Sequence, residues 1–212
     1  MSKPAFNTLD AIAVPLDRRN VDTDQIIPAR FLRKSRSAGM ADYLFHDLRA
    51  DPAGVKRSDF ILNHERYQSA QILVARDNFG SGSSREAAVY ALWDFGFRAV
   101  IAPSFGDIFF SNSLKNGLLP IVLDPESVEA LLGLLLAQPG CRVKIEPEFA
   151  LFVAAGLLTV VVAVALAPAA LRIVSVNVTI SCVVRAGAVK LGETVLAPVT
   201  VMVPSGASLV HA

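Results

Sequence analysis

Two cysteines, Cys141 and Cys182, are all the chain offers for thiol chemistry. That is too few for a disulfide framework in a chain long enough to build its own core, so a reducing, cytoplasmic setting is the expectation. Three histidines, His46, His64 and His211, lie far apart without metal-ligand spacing, and this chain is expected to bind no metal or cofactor of its own. Net charge is missing too. Twenty Lys and Arg against 19 Asp and Glu leave +1 over 212 residues, which gives no electrostatic grip on nucleic acid. The first ten residues hold no long apolar stretch, so a cleaved secretory signal is not expected. Neither heptads nor an internal repeat are visible, which argues against coiled coils and solenoids.

What is abundant is apolar. Residues of that class make up 53% of the chain, far too many for a disordered protein and enough for one sizeable core. They are unevenly spread. Of 39 charges, 35 lie in the first 148 residues, and only Arg172, Arg185, Lys190 and Glu193 fall in the last 64, where Ala and Val supply 29 positions. Two parts are therefore read separately: residues 1–148, and an apolar, Ala/Val-rich C-terminal segment, residues 149–212. Phe149 to Leu171 is uncharged and long enough to cross a bilayer as a helix. Its flanks lack a basic cluster, Pro168 interrupts it and no Trp or Tyr marks an interface, so membrane insertion is disfavoured. The other readings are buried strands, Val160 to Ala165 and Arg172 to Val184, and a replaced reading frame. The working expectation is β-structure from Arg172 to Val203 packed on the domain, because Val, Ile and Thr recur there with partial period two.

Within the first part, Ala11 to Leu16 reads as a strand, followed by a polar turn and a second short run of strand formers, Gln25 to Pro28. A basic loop, Arg30-Phe-Leu-Arg-Lys-Ser-Arg36, comes next, and Ala41 to Leu48 suits a short helix. The centre is more regular. Gln71 to Ala75, Arg98 to Ala102 and Leu118 to Leu123 read as strands, and Arg85 to Phe95, Phe105 to Lys115 and Glu126 to Ala137 as helices. Strand, loop and helix three times over is an α/β pattern.

Chemistry concentrates in Asn78-Phe-Gly-Ser-Gly-Ser-Ser84, a glycine-rich loop between strand and helix. Such a turn aims backbone N–H groups outward at the positive end of a helix dipole, a setting for an anion. The segment lacks a P-loop lysine, a third dinucleotide-motif glycine and the glycine spacing of a nucleophile elbow. Two readings of Ser83 fit. With Glu86 three residues on, it makes a capping box worth about 1 kcal/mol and no catalysis. Against that, the adjacent Ser84, the bidentate fork of Arg85 and two glycines that admit a substrate to the backbone go beyond what a cap needs.

Asn78-Phe-Gly-Ser-Gly-Ser-Ser-Arg-Glu86, Ile101-Ala-Pro-Ser-Phe-Gly-Asp-Ile-Phe-Phe110, Asn116-Gly-Leu-Leu-Pro120, and Val14-Pro-Leu-Asp17 with Asn20-Val-Asp-Thr-Asp-Gln-Ile-Ile-Pro28 occur together in one chain. Over roughly the first 145 residues the chain thereby resembles the small-subunit family of 3-isopropylmalate dehydratases, aconitase-like hydro-lyases. The resemblance implies a swivelling β/α domain; it does not extend over the C-terminal segment, which is read from its residues as β-rich and family-divergent. It implies a two-chain lyase of leucine biosynthesis that isomerises 2-isopropylmalate by dehydration and rehydration. The expected partners are a large subunit bearing an iron-sulfur cluster and a small dicarboxylate substrate, with no nucleic acid and no membrane.

Carried over residue by residue, the resemblance makes Ser83 the base that takes the carbon-bound proton, Arg85 the carboxylate and oxyanion stabiliser, and Asp24 an acid near the reacting centre. Gly82 and Ser84 would contact substrate, as would Arg33 in the basic loop that discriminates substrates. Residue chemistry alone leaves Asp24 equally suited to fixing its own turn. Many relatives carry histidine after Ser-Arg-Glu, where this chain has Ala87. An alternative function is a noncatalytic anion- or phosphate-binding module built on the same glycine-rich helix start.

Overall fold

A computed structural model describes residues 8–36, 39–148, 161–165 and 173–181. Its strands are β1 (Leu9–Leu16), β2 (Ile72–Ala75), β3 (Ala99–Ala102), β4 (Leu119–Val122), β5 (Arg142–Glu148), β6 (Val161–Ala165) and β7 (Ile173–Ser181). They join in one seven-stranded sheet of order β4-β3-β2-β1-β5-β7-β6. The first four run parallel, with Ala13 opposite Ile72, Ile72 opposite Ala99 and Ala99 opposite Leu119. β5 adds antiparallel to β1, and β7 then β6 continue antiparallel.

Alternation along the parallel strands gives the sheet two buried faces. Val14, Leu16, Leu73, Ala75, Val100 and Ala102 point to one side, where they meet Ala88, Val89, Ala91 and Leu92 of helix α3 (Glu86–Phe95) and the chain from Val21 to Ala70. Ala13, Ile72, Val74, Ala99, Ile101 and Ile121 point to the other, against Val128, Leu131, Leu132 and Leu135 of helix α5 (Pro125–Ala137). Strands covered on both sides are expected to be almost wholly apolar, as Ile72–Ala75 and Ala99–Ala102 are.

Helix ends follow local chemistry. Asp124 accepts from the Ser127 backbone N–H at 2.8 Å, and Pro125 occupies the first turn of α5, where its missing N–H costs nothing. Helix α4 (Asp107–Asn116) ends at Gly117, whose φ of 83° is left-handed.

The sequence expectations depart from the structure in particular places. Gln25 to Pro28 is not a strand, because Asp22 caps a single helical turn, α1 (Thr23–Ile26), by accepting from the Gln25 N–H at 2.7 Å. The expected helix over Ala41 to Leu48 is broken by Phe45 at φ 49°, which separates a 3₁₀ turn from helix α2 (His46–Arg49). β5 has no counterpart among the expected elements. Of the apolar run Phe149 to Leu171, Val161–Ala165 is strand and the rest lies outside the described residues. Of the β-structure expected from Arg172 to Val203, Ile173–Ser181 is observed as strand, and the remainder lies outside the described residues as well. Among the described residues no helix is long and apolar enough to cross a membrane.

Candidate active site

The loops leaving the C-terminal ends of β1, β2 and β3 meet at one edge of the parallel sheet, the place where open α/β sheets bind ligands. Their junctions are specific. Asn20 and Asn78 both adopt left-handed backbone, φ 51° and 60°, and the Asn78 side-chain amide donates to Asn20 Oδ1 at 2.9 Å. The Asn78 backbone N–H donates to Ser104 Oγ at 2.8 Å, Phe79 N–H to the Ser104 carbonyl at 3.0 Å and Gly106 N–H to the Phe79 carbonyl at 2.9 Å.

Two glycines allow this approach. Gly80, at φ 72°, lies under Phe109, and a Cβ there would come within 2.6 Å of the Phe109 Cδ1 atom. At Gly106 a Cβ would stand 2.5 Å from the Gly80 carbonyl oxygen. Neither position has room for a side chain.

Beyond Gly80 the glycine-rich loop runs alongside the segment before α1. Gly80 N–H donates to the Val21 carbonyl at 2.7 Å, and Thr23 N–H to the Ser81 carbonyl at 2.9 Å. The buried Thr23 hydroxyl donates to the Ser83 carbonyl at 2.7 Å. This register brings Asp24 opposite Arg85, and the two form an ion pair between residues 61 apart in sequence. The Arg85 side chain is 16% exposed and that of Asp24 54%. The guanidinium is thus packed into the protein while its partner stands at the surface.

Gly82, at φ 89°, Ser83 and Ser84 form the exposed crest between these contacts. Among the described residues the backbone N–H groups of these three have no backbone partner. Together with the start of α3 and Arg85 they offer an oxyanion or carboxylate several donors at once.

Ser83 is not a helix cap. α3 starts at Glu86, its cap residue is Arg85 in extended conformation, and no side chain caps it. Glu86 does not reach back to the loop either; its Oε1 accepts from the Asn116 side-chain amide at 2.7 Å. That bond, with one from Tyr90, holds the Glu86 carboxyl below its ordinary range. The turn-fixing role open to Asp24 belongs instead to Asp22.

Of the expected site residues, Asp24, Gly82, Ser83, Ser84 and Arg85 thus come together. Arg33 stands on the separate basic loop and makes no hydrogen bond or ion pair with them. In that loop Arg30 is engaged by Asp47, including a bond of 2.8 Å, and Arg36 lies 3.7 Å above the Tyr90 ring. Arg33 and Lys34 are exposed with no ion-pair partner among the described residues. Phe31 stacks on Tyr43 at 4.4 Å and is absorbed in local packing, which leaves Leu32 as the loop's exposed apolar side chain. Sequence reasoning does not mark out Thr23, Asn20 or Asn78. For Asn20 and Asn78, an asparagine beside a turn is the available signal.

Among the described residues no three His, Cys, Asp or Glu side chains gather as metal ligands. A metal cluster therefore does not fit this edge of the molecule.

Known proteins share this sequence over much of its length. Residues 3–126 match the family model described as the aconitase C-terminal domain. A 3-isopropylmalate dehydratase small subunit of Leptospira interrogans is 56% identical over 143 residues, 66% of this chain and 69% of that protein. One from Magnetococcus marinus is 50% identical over 151 residues, 67% of this chain and 71% of that protein. A crystal structure of 3-isopropylmalate dehydratase from Methanocaldococcus jannaschii aligns with TM-score 0.47 and 31% identity, over 65% of this chain and 70% of that one. The chain belongs to the aconitase C-terminal domain family, among the small subunits of 3-isopropylmalate dehydratase.

Proposed function

We propose that this chain is the small subunit of a cytoplasmic two-chain hydro-lyase that interconverts 2- and 3-isopropylmalate in leucine biosynthesis, active only with its large subunit. The observation that carries the reading is the Asp24–Arg85 ion pair beside the Ser83 crest. The pair holds an arginine fork, a group that binds carboxylates, beside serine hydroxyls that can take a proton. The domain proper is taken as residues 1–148, with residues 149–212 as an added C-terminal segment.

Ser83 Oγ takes the proton from the substrate carbon, and the electrons of that C–H bond form the double bond as the hydroxyl leaves the neighbouring carbon. An unassisted serine is a poor base. Arg85 and the N–H groups of the crest supply the positive field that favours its alkoxide. Asp24 holds the Arg85 fork in place, leaving the rest of the guanidinium for a substrate carboxylate. Gly82 and Ser84 border the same substrate, and Arg33 answers its second carboxylate.

An iron-sulfur cluster, assigned in this reading to the large subunit, would supply the polarisation of the leaving hydroxyl. Exposure of Ser83 agrees with that division, because the water-poor pocket such a base requires is closed by the partner. The test is to purify the chain with a 3-isopropylmalate dehydratase large subunit and follow hydration of isopropylmaleate. Activity of the pair and silence of either chain alone is expected; turnover by this chain alone would overturn the reading.

A further inference from the structure

We infer that Thr23 is the positioning residue of the Ser83 base, an inference that rests on the proposed function. Thr23 is 2% exposed, and its hydroxyl is not idle, since it reaches a carbonyl 60 residues away in sequence. A purely space-filling residue there could be valine, of the same shape and without a polar atom to satisfy.

The loop explains why the bond matters. Ser81 is tied through its carbonyl to Thr23 N–H, and beyond the crest the chain is held again at Arg85, by its side-chain ion pair with Asp24. Between them stands Gly82 in left-handed conformation, with only Asp22 Cβ at 3.5 Å and Thr23 Oγ1 at 3.9 Å near the position of a Cβ. A glycine there lets the crest swing. The Thr23 hydroxyl on the Ser83 carbonyl is the tie that stops it, fixing the peptide from which the Ser83 side chain projects.

The same residue precedes Asp24. One threonine therefore sets both the base and the acid that orients Arg85. Because Thr23 does not touch substrate in this arrangement, its loss acts on alignment and leaves binding largely alone.

The experiment uses the complete two-chain enzyme. Thr23→Val keeps shape and removes the donor, Thr23→Ser keeps the donor, and Ser83→Ala removes the base. Misalignment by a fraction of an ångström to an ångström is expected to lower kcat about 10- to 100-fold in Thr23→Val. KM should stay within about twofold of wild type, and Thr23→Ser should restore most of the rate. Rates are taken per intact complex, and Thr23→Ala carries the same test if the valine variant folds poorly. Wild-type kcat in the valine or alanine variant would overturn the inference, as would equal loss in the valine and serine variants. If Ser83→Ala itself keeps full activity, the base assignment fails; if Ser83→Ala is dead while Thr23→Val is normal, only the positioning role fails.

Discussion

Ser83 has two chemically sound roles by residue type, and backbone geometry that sequence spacing does not contain removes the helix cap. A serine three residues before a glutamate is a capping box only if the helix starts immediately after the serine, and here it starts at Glu86. Ser83→Ala is therefore expected to lower kcat of the two-chain enzyme by several orders of magnitude with almost no change in thermal stability, read by melting and steady-state kinetics side by side. A loss of about 1 kcal/mol with turnover retained would instead be the behaviour of a cap. Asp24→Asn should leave the fold intact and reduce activity by loosening Arg85, and Arg85→Lys should reduce it further, since a point charge cannot replace a bidentate fork.

One further side chain gives a pH signature. The Arg30 guanidinium, by hydrogen bonding, with help from His46, lowers the Asp47 carboxyl to about 2. An unpaired aspartate titrates at about 4. The pairing therefore contributes stability that is fully present above that value and is lost as pH falls through the folded pKa. The melting-temperature gap between wild type and Asp47→Asn should be constant above about pH 5 and close as pH approaches about 2. Both side chains are half exposed, so the gap is small and shrinks further with salt.

At the level of elements, the repeating strand-loop-helix core was legible because apolar runs bounded by Gly, Pro and Asn state both identity and limits. α1 and β5 were less so. Ile26 and Ile27 are β-branched and look like strand, but Asp22 supplies a cap, and Ile26 is buried from the helical turn and Ile27 from the extended residue that follows it. β5 alternates charged and apolar residues, Arg142, Val143, Lys144, Ile145, and its meaning depends on β1, whose paired residues lie 130 to 136 positions earlier in the chain. The junction of the β2 and β3 loops was similarly hidden, since the closeness of Gly80 and Gly106 is a tertiary fact. Gly106→Ala drives a methyl into the Gly80 carbonyl. It is expected to destabilise by about 1–3 kcal/mol, a typical penalty for overpacking, and to lower activity by displacing the glycine-rich loop. Urea unfolding of the variant measures it; an unchanged midpoint would show that the two loops can part without cost.

On the scale of the whole molecule, the C-terminal segment extends the sheet. β7 pairs with β5 along its length, from Arg142 opposite Ser181 to Glu148 opposite Ser175. A chain ending at Glu148 would leave β5 as an open edge, a template for association. It should melt lower and aggregate more readily than the full chain. Equal stability and solubility of the two would mean that the added strands contribute nothing to the fold. The proposed function rests on division of labour: Ser83 on the exposed crest as base, the Asp24–Arg85 pair beside it, and a second chain that closes and completes the site. Hydration of isopropylmaleate by the chain alone, by the large subunit alone and by the two together measures that division directly. Turnover confined to the mixture, and abolished there by Ser83→Ala, is the result the proposed function predicts; turnover by this chain alone, or a mixture indifferent to Ser83, would contradict it.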